Sequence, residues 1–194
     1  LYSSAASDVY KRQTTGRPKG AILTHSNFFW VSTAFAATIG FYRCDRSLIA
    51  LPLFHIAAMS SIPIYTHWGI TSVLMRSFDP KQFLETIEKE RISYFVVVPT
   101  MLMSLKLVPE FEKCDFSSVH TILVSAAPVP VSLIKEYAER GIEIRQRYGL
   151  TECTGPATVI GPDHAIKKVG SCGRPLFHTD VKVIKEDGSE VKPG

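Results

Sequence analysis

Residues 94–107 read YFVVVPTMLMSLKL, residues 121–124 read TILV, and residues 130–146 read PVSLIKEYAERGIEIRQ. The first run is apolar and β-branched, which predicts a strand over 94–98 buried on both faces. Pro99 suits the first turn of a helix extending to about Leu107, and TILV is a second short strand. Pro130 opens a helix whose Ile134, Tyr137 and Ala138 share one face, with Lys135, Glu136, Glu139 and Arg140 on a solvated one. Gly141 stands where a left-handed residue ends a helix, and residues 142–146 return as a strand. Strand–helix–strand connections of this length imply parallel neighbours, so the fold class is α/β, with mainly parallel sheets flanked by helices. Ligands in such sheets sit beyond the carboxyl ends of the strands, which directs the search for a site to the segments just after them.

The alternation continues outward. Ala21–Leu23 reads as a strand end, and Ser26 as the cap of a helix running to about Phe41 with Phe28, Phe29, Trp30 and Phe35 as its core. Ser47–Leu51 reads as a strand, 55–67 as a helix and 71–75 as a strand. Asp79 caps the next helix, with Pro80 first, Gln82 three residues after the cap, and Phe83, Leu84 and Ile87 inward. Asp187-Gly188 reads as a hairpin turn with no second strand completed. Residues 1–13, LYSSAASDVYKRQ, resemble a translated sequencing adaptor and are expected to be a non-native leader. Residues 14–194 are then expected to be the central part of one large domain, truncated at both ends.

Composition narrows the function classes. With 45% hydrophobic and 21% charged residues, the chain has the material for a packed core. The 22 basic and 18 acidic residues are scattered along the chain, which argues against a nucleic-acid footprint. Cysteines at 44, 114, 153 and 172 form no C-x-x-C pair, so reduced thiols in a cytoplasmic protein are expected rather than a zinc site or disulfide framework. No run reaches the ~18 apolar residues of a membrane span, leaving at most a peripheral membrane contact.

Three segments carry unusual chemistry. T-T-G-R-P-K-G, residues 14–20, offers two hydroxyls, close-approach glycines and a lysine that can hold phosphate oxygens. Alone it reads more simply as a solvated basic turn. L-P-L-F-H-I-A-A, residues 51–58, places His55 after a strand; a lone His there is more often a core or helix-start residue. R-Y-G-L-T-E, residues 147–152, combines a ring to stack a base, a hydroxyl for a phosphate and a hard oxygen for Mg²⁺. It also fits a strand end followed by a helix cap.

Taken together and in this order, the three segments resemble the adenylate-forming (AMP-binding) superfamily of acyl- and aryl-CoA synthetases, luciferases and peptide-synthetase adenylation domains. Residues 124–129 (V-S-A-A-P-V) and 170–175 (G-S-C-G-R-P) add weaker support. The resemblance implies that a carboxylate attacks the α-phosphorus of ATP, pyrophosphate leaves, and the acyl group passes to coenzyme A. It implies that Thr14, Thr15, Gly16 and Lys19 hold the β- and γ-phosphates, that Thr151 donates to the α-phosphate, and that Glu152 ligates Mg²⁺. It implies that Tyr148 stacks on adenine and Gly149 belongs to the nucleotide site, with Ser125, Ala126, Ala127 and the Arg147 backbone lining the base pocket. His55 falls at the wall between acyl group and adenylate, and Cys153 reads as pocket lining rather than nucleophile.

The departures matter equally. Family members carry Ser/Thr-Ser-Gly before the Thr-Thr-Gly, where this chain has Lys11-Arg12-Gln13. The family's later Gly-Asp motif and lysine-bearing small domain fall beyond Gly194, so the isolated chain is expected to be inactive. Amino-acid-activating members place an Asp where this chain has His55, which disfavours an α-amine on the substrate. Ile56, Ala57, Ala58 and Met59 suit an apolar acyl group, so the expected substrate is a fatty acid, followed by an aryl acid. The alternative class is a nucleotide-binding module without turnover.

Overall fold

The apolar runs of the 94–146 stretch form strands because each is covered on both faces. The computed structural model describes residues 7–11, 19–41, 45–161 and 164–191. Strands β1 (Ser7–Lys11) and β2 (Lys19–Leu23) pair antiparallel with each other. The expected leader therefore contributes a strand at Ser7–Lys11. Helix α1 (His25–Ile39) follows, capped by Thr24 and not by Ser26. Thr24 Oγ1 accepts from the Asn27 amide at 3.2 Å while Asn27 Oδ1 accepts from the Thr24 amide at 2.9 Å, a reciprocal arrangement that Ser26, already inside the first turn, cannot make.

The main sheet contains β3 (Arg46–Ile49), β4 (Thr71–Leu74), β5 (Tyr94–Val97), β6 (Thr121–Val124), β7 (Ile144–Leu150), β8 (Gly155–Val159) and β9 (Arg174–Pro175). Its order is β4-β3-β5-β6-β7-β8-β9. Pairing is parallel from β4 to β7 and antiparallel from β7 to β9. Helices α2 (Ile56–Met59) and α3 (Ser61–His67) connect β3 to β4, replacing the single helix expected over 55–67. The break at Ser60 has a reason in Pro63, since proline fits only the first turn of a helix and so requires a new start at Ser61. Helices α4 (Pro80–Lys89), α5 (Pro99–Lys106) and α6 (Val131–Glu139) make the remaining crossovers. The left-handed Gly141, φ 75°, turns the chain out of α6.

Side chains alternate between two cores. Leu48, Phe95, Val97, Ile122 and Val124 pack against α4, α5 and α6. Ile49, Tyr94, Val96 and Leu123 pack against α1, α2 and α3. Of the four aromatic residues expected in the α1 core only Phe35 is buried; Phe29 and Trp30 are more than half exposed, because the inward stripe is Val31, Ala34 and Phe35. No helix among the described residues is long and apolar enough to cross a membrane.

Strand β7 runs four residues past its expected end at Gln146 because β8 pairs with its second half. The register shifts between Tyr148 and Gly149, bringing the Gly155 carbonyl against Gly149. A Cβ at Gly149 would lie 2.1 Å from that oxygen. Gly149→Ala should therefore cost about 1–3 kcal/mol by forcing β7 and β8 apart, read as a lowered midpoint in chemical denaturation. A midpoint equal to wild type would contradict the close strand approach. In the α5 region, Leu102→Ala should cost about 2–5 kcal/mol, and Leu107→Ala less than about 0.5, as their exposures are 0% and 83%. Equal losses would contradict the placement of the core.

Candidate active site

Five consecutive strands of the sheet end on one cavity of about 1250 Å³. Ile49–Leu51 reach it from β3, Leu74–Phe78 from β4, Val98 from β5, Ser125 and Ala126 from β6, and Arg147 and Gly149–Thr151 from β7. The strand order reverses at β3, where one crossover leads to β4 and the next to β5 on the other side. Such a reversal opens a crevice at the carboxyl ends of the strands, and the cavity occupies it.

The wall is mostly apolar. Its polar side chains are the hydroxyls of Ser77, Ser125 and Thr151 and the basic groups of His55, Arg76 and Arg147. No Asp or Glu among the described residues lines it.

His55 caps α2. Its Nδ1 accepts from the Ala57 amide at 3.2 Å, which leaves Nε2 as the protonated nitrogen of the neutral ring. The two readings of His55 are therefore both met: it starts a helix, and its exposed ring lies on the cavity wall. Ser125 continues the sheet, its amide donating to Val97 O at 3.2 Å. Ala126 then takes a left-handed φ of 75°. The loop is held at its far end by buried Gln146, whose Oε1 accepts from the Val129 amide at 3.0 Å.

Thr151 is buried at the start of a 3-10 turn, Thr151–Cys153, that leaves Glu152 exposed. Arg147, expected to contribute backbone, also buries its guanidinium 5.7 Å from the centre of the Phe35 ring. Burial lowers its pKa from the ordinary arginine value, yet an arginine remains charged.

The structure thus brings His55, Ser125, Ala126, Arg147, Gly149 and Thr151 to one cavity. Ala127, Tyr148 and Glu152 are exposed, each next in sequence to a lining residue. Lys19 opens β2, and that strand packs beside the Thr151–Cys153 turn. Thr14, Thr15 and Gly16 lie outside the described residues. Cys153 is not part of the cavity wall; its sulfur bonds the backbone of Leu150 and Gly155 and so closes the turn. Sequence reasoning missed the 74–78 segment, Val98 and Gly155-Pro156. The first two directly follow strands, a signal that was present.

The AMP-binding enzyme family model matches residues 14–194. A feruloyl-CoA synthase of Amycolatopsis is 38% identical over 187 residues, covering 96% of this chain and 38% of that protein. A long-chain-fatty-acid–CoA ligase of Mycobacterium tuberculosis is 37% identical over 180 residues, covering 93% of this chain and 36% of that protein. The o-succinylbenzoate coenzyme A synthetase of Bacillus subtilis, solved in complex with AMP, superposes with a TM-score of 0.90 at 34% identity, covering 100% of this chain and 40% of that one. The chain spans less than half the length of each. Their acids differ, while ligation of an acid to coenzyme A is common to all three names. With the family match running from Thr14 to Gly194 and the same fold in a nucleotide-bound relative, the chain belongs to the AMP-binding enzyme family.

Proposed function

We propose that the protein carrying this chain uses ATP to activate an apolar carboxylic acid without an α-amine, a fatty acid first, and transfers the acyl group to coenzyme A. The observation that carries this reading is the cavity at the strand ends, which gathers His55, Ser125, Ala126, Gly149 and Thr151. Its volume of about 1250 Å³ exceeds the ~300–1,000 Å³ of a typical single-ligand site, which supports a nucleotide and an acid side by side.

A carboxylate is a poor acyl donor because its leaving group is oxide. Attack of its oxygen on the α-phosphorus of ATP, with departure of pyrophosphate, converts that oxygen into part of a phosphate leaving group. A thiol then displaces AMP. Thr151, buried at the end of β7, is the fixed donor for the phosphate oxygen that gathers charge. Lys19, on the strand beside that turn, supplies positive charge for the outer phosphates, together with Thr14, Thr15 and Gly16. Small side chains at Ser125, Ala126 and Ala127 leave room for a purine, and Tyr148 offers an exposed ring to cover it. Glu152 carries a hard, exposed carboxylate next to Thr151, the donor type that suits Mg²⁺. When bound, that ion supplies charge neutralisation on the phosphates.

The acid is selected by what surrounds it. Leu51, Leu53, Phe54, Leu74, Met75 and Met101 provide an apolar wall for an acyl chain. The absence of any Asp or Glu from the described wall leaves no opposite charge there to neutralise an α-ammonium. An aryl acid is the second reading, favoured by the 38% identity to a feruloyl-CoA synthase. ATP, coenzyme A and reduced thiols together fit work in the cytoplasm.

In the full-length protein, Glu152→Gln should lower acid-dependent ATP–pyrophosphate exchange at least ~100-fold, the scale for loss of an electrostatic group acting in the transition state. Wild-type exchange with unchanged Mg²⁺ dependence would remove Glu152 from the metal. Across a panel of fatty, aryl and amino acids, exchange should favour acids without an α-amine. Preference for any amino acid over medium or long fatty acids would overturn the substrate assignment.

A further inference from the structure

We propose that Arg76 determines specificity by binding a carboxylate at the far end of the acid, so that the preferred substrates are α,ω-dicarboxylic acids with an apolar spacer. The inference rests on the acid-activating reading above and names its substrate more closely. Three basic side chains line the cavity, and two of them are held by contacts of their own. Arg147 is buried against Phe35, and His55 Nδ1 is bonded to the Ala57 amide. Arg76 is exposed and forms no ion pair among the described residues. The acid nearest to it in sequence, Asp79, is engaged at the α4 cap, where its Oδ1 accepts from the Gln82 amide at 2.8 Å.

The segment carrying Arg76 is anchored on both sides. The Met75 amide donates to Ile49 O at 2.9 Å, and Met75 and Phe78 pack on the core, with the Phe78 and Phe83 rings 5.6 Å apart. The guanidinium therefore projects from a fixed point on the wall. That point follows β4, four strands across the sheet from β7 and Thr151, or about 19 Å at ~4.8 Å per strand. A reacting carboxylate beside Thr151 lies across the cavity from Arg76, with apolar residues that follow β3 and β5, Leu51 and Val98, between them. A single molecule meets both ends when it carries a second anion beyond an apolar body. The planar fork of arginine matches a carboxylate through two parallel hydrogen bonds.

The test is ATP–pyrophosphate exchange by the full-length protein without coenzyme A, using paired mono- and dicarboxylic acids of equal length, for wild type, Arg76→Gln and Arg76→Lys. Diacids should be preferred about tenfold or more in kcat/KM, the value of one charge-assisted contact. Arg76→Gln should abolish that preference through a loss on diacids larger than on monoacids, with a circular dichroism spectrum matching wild type to report that the variant is folded. Arg76→Lys should restore part of it. Preference for monoacids, an equal loss on both acids, or an effect confined to the KM for coenzyme A in the thioester assay would each overturn the proposal. If no acid supports exchange, the acid-activating reading fails by itself. Calorimetric titration with the diacid then decides the role of Arg76: binding lost in Arg76→Gln supports it, and no binding by wild type overturns it.

Discussion

The parallel pairing of β3 with both β4 and β5 is the constraint from which the rest of the structure follows. A parallel neighbour is reached only by a crossover, so every connection from β3 to β7 leaves at a carboxyl end and returns at an amino end. The crossover to β4 passes through α2 and α3 on one face, and those to β5, β6 and β7 through α4, α5 and α6 on the other. Chains departing to opposite faces part at β3, and no backbone among the described residues fills the space they leave. With both faces of the sheet packed, the strand ends are the positions free to carry chemistry.

Strand β7 is where core and site share one run of residues. Ile144 to Gln146 pair parallel with β6, and Arg147 to Leu150 pair antiparallel with β8. The change of partner lets the strand outlast its parallel neighbours and carry Thr151 past the sheet edge. Close strand approach at Gly149 and the sulfur contacts of Cys153 hold that extension rigid. Gln146 extends the same order sideways by fixing Val129, at the end of the small-residue loop. A rigid support of this kind suits a site whose donors must be aimed before charge develops.

Legibility in the sequence followed how local each feature is. Strands β5 and β6 were readable because a run buried on both faces has no competing pattern, and the α4 start because Asp79, Pro80 and Gln82 act within one turn. The 55–67 break was readable in principle from Pro63, but apolar periodicity across Ser60 masked it. The length of β7 was not readable, since it depends on pairing with β8. For the site, hydroxyls, glycines and a carboxylate stood out at 147–152, while Leu74–Phe78 looked like an ordinary strand end. Only topology shows that this strand end faces the same space as Thr151.

In the proposed function, the chemistry of His55 turns a difference of one residue into a selection rule. Its Nδ1 is occupied by the Ala57 amide, so the neutral ring offers only an N–H to the cavity. An α-ammonium is itself a donor with no acceptor capacity, and beside that N–H it would find no carboxylate among the described residues of the wall. Leaving a charge unpaired in an apolar cavity is costly, whereas an acid without an amine meets no such penalty. A carboxylate or acyl-phosphate oxygen is an acceptor, which is what the same N–H and the Thr151 hydroxyl require. The proposed preference thus arises as much from the acid that the described wall lacks as from the apolar contacts it makes.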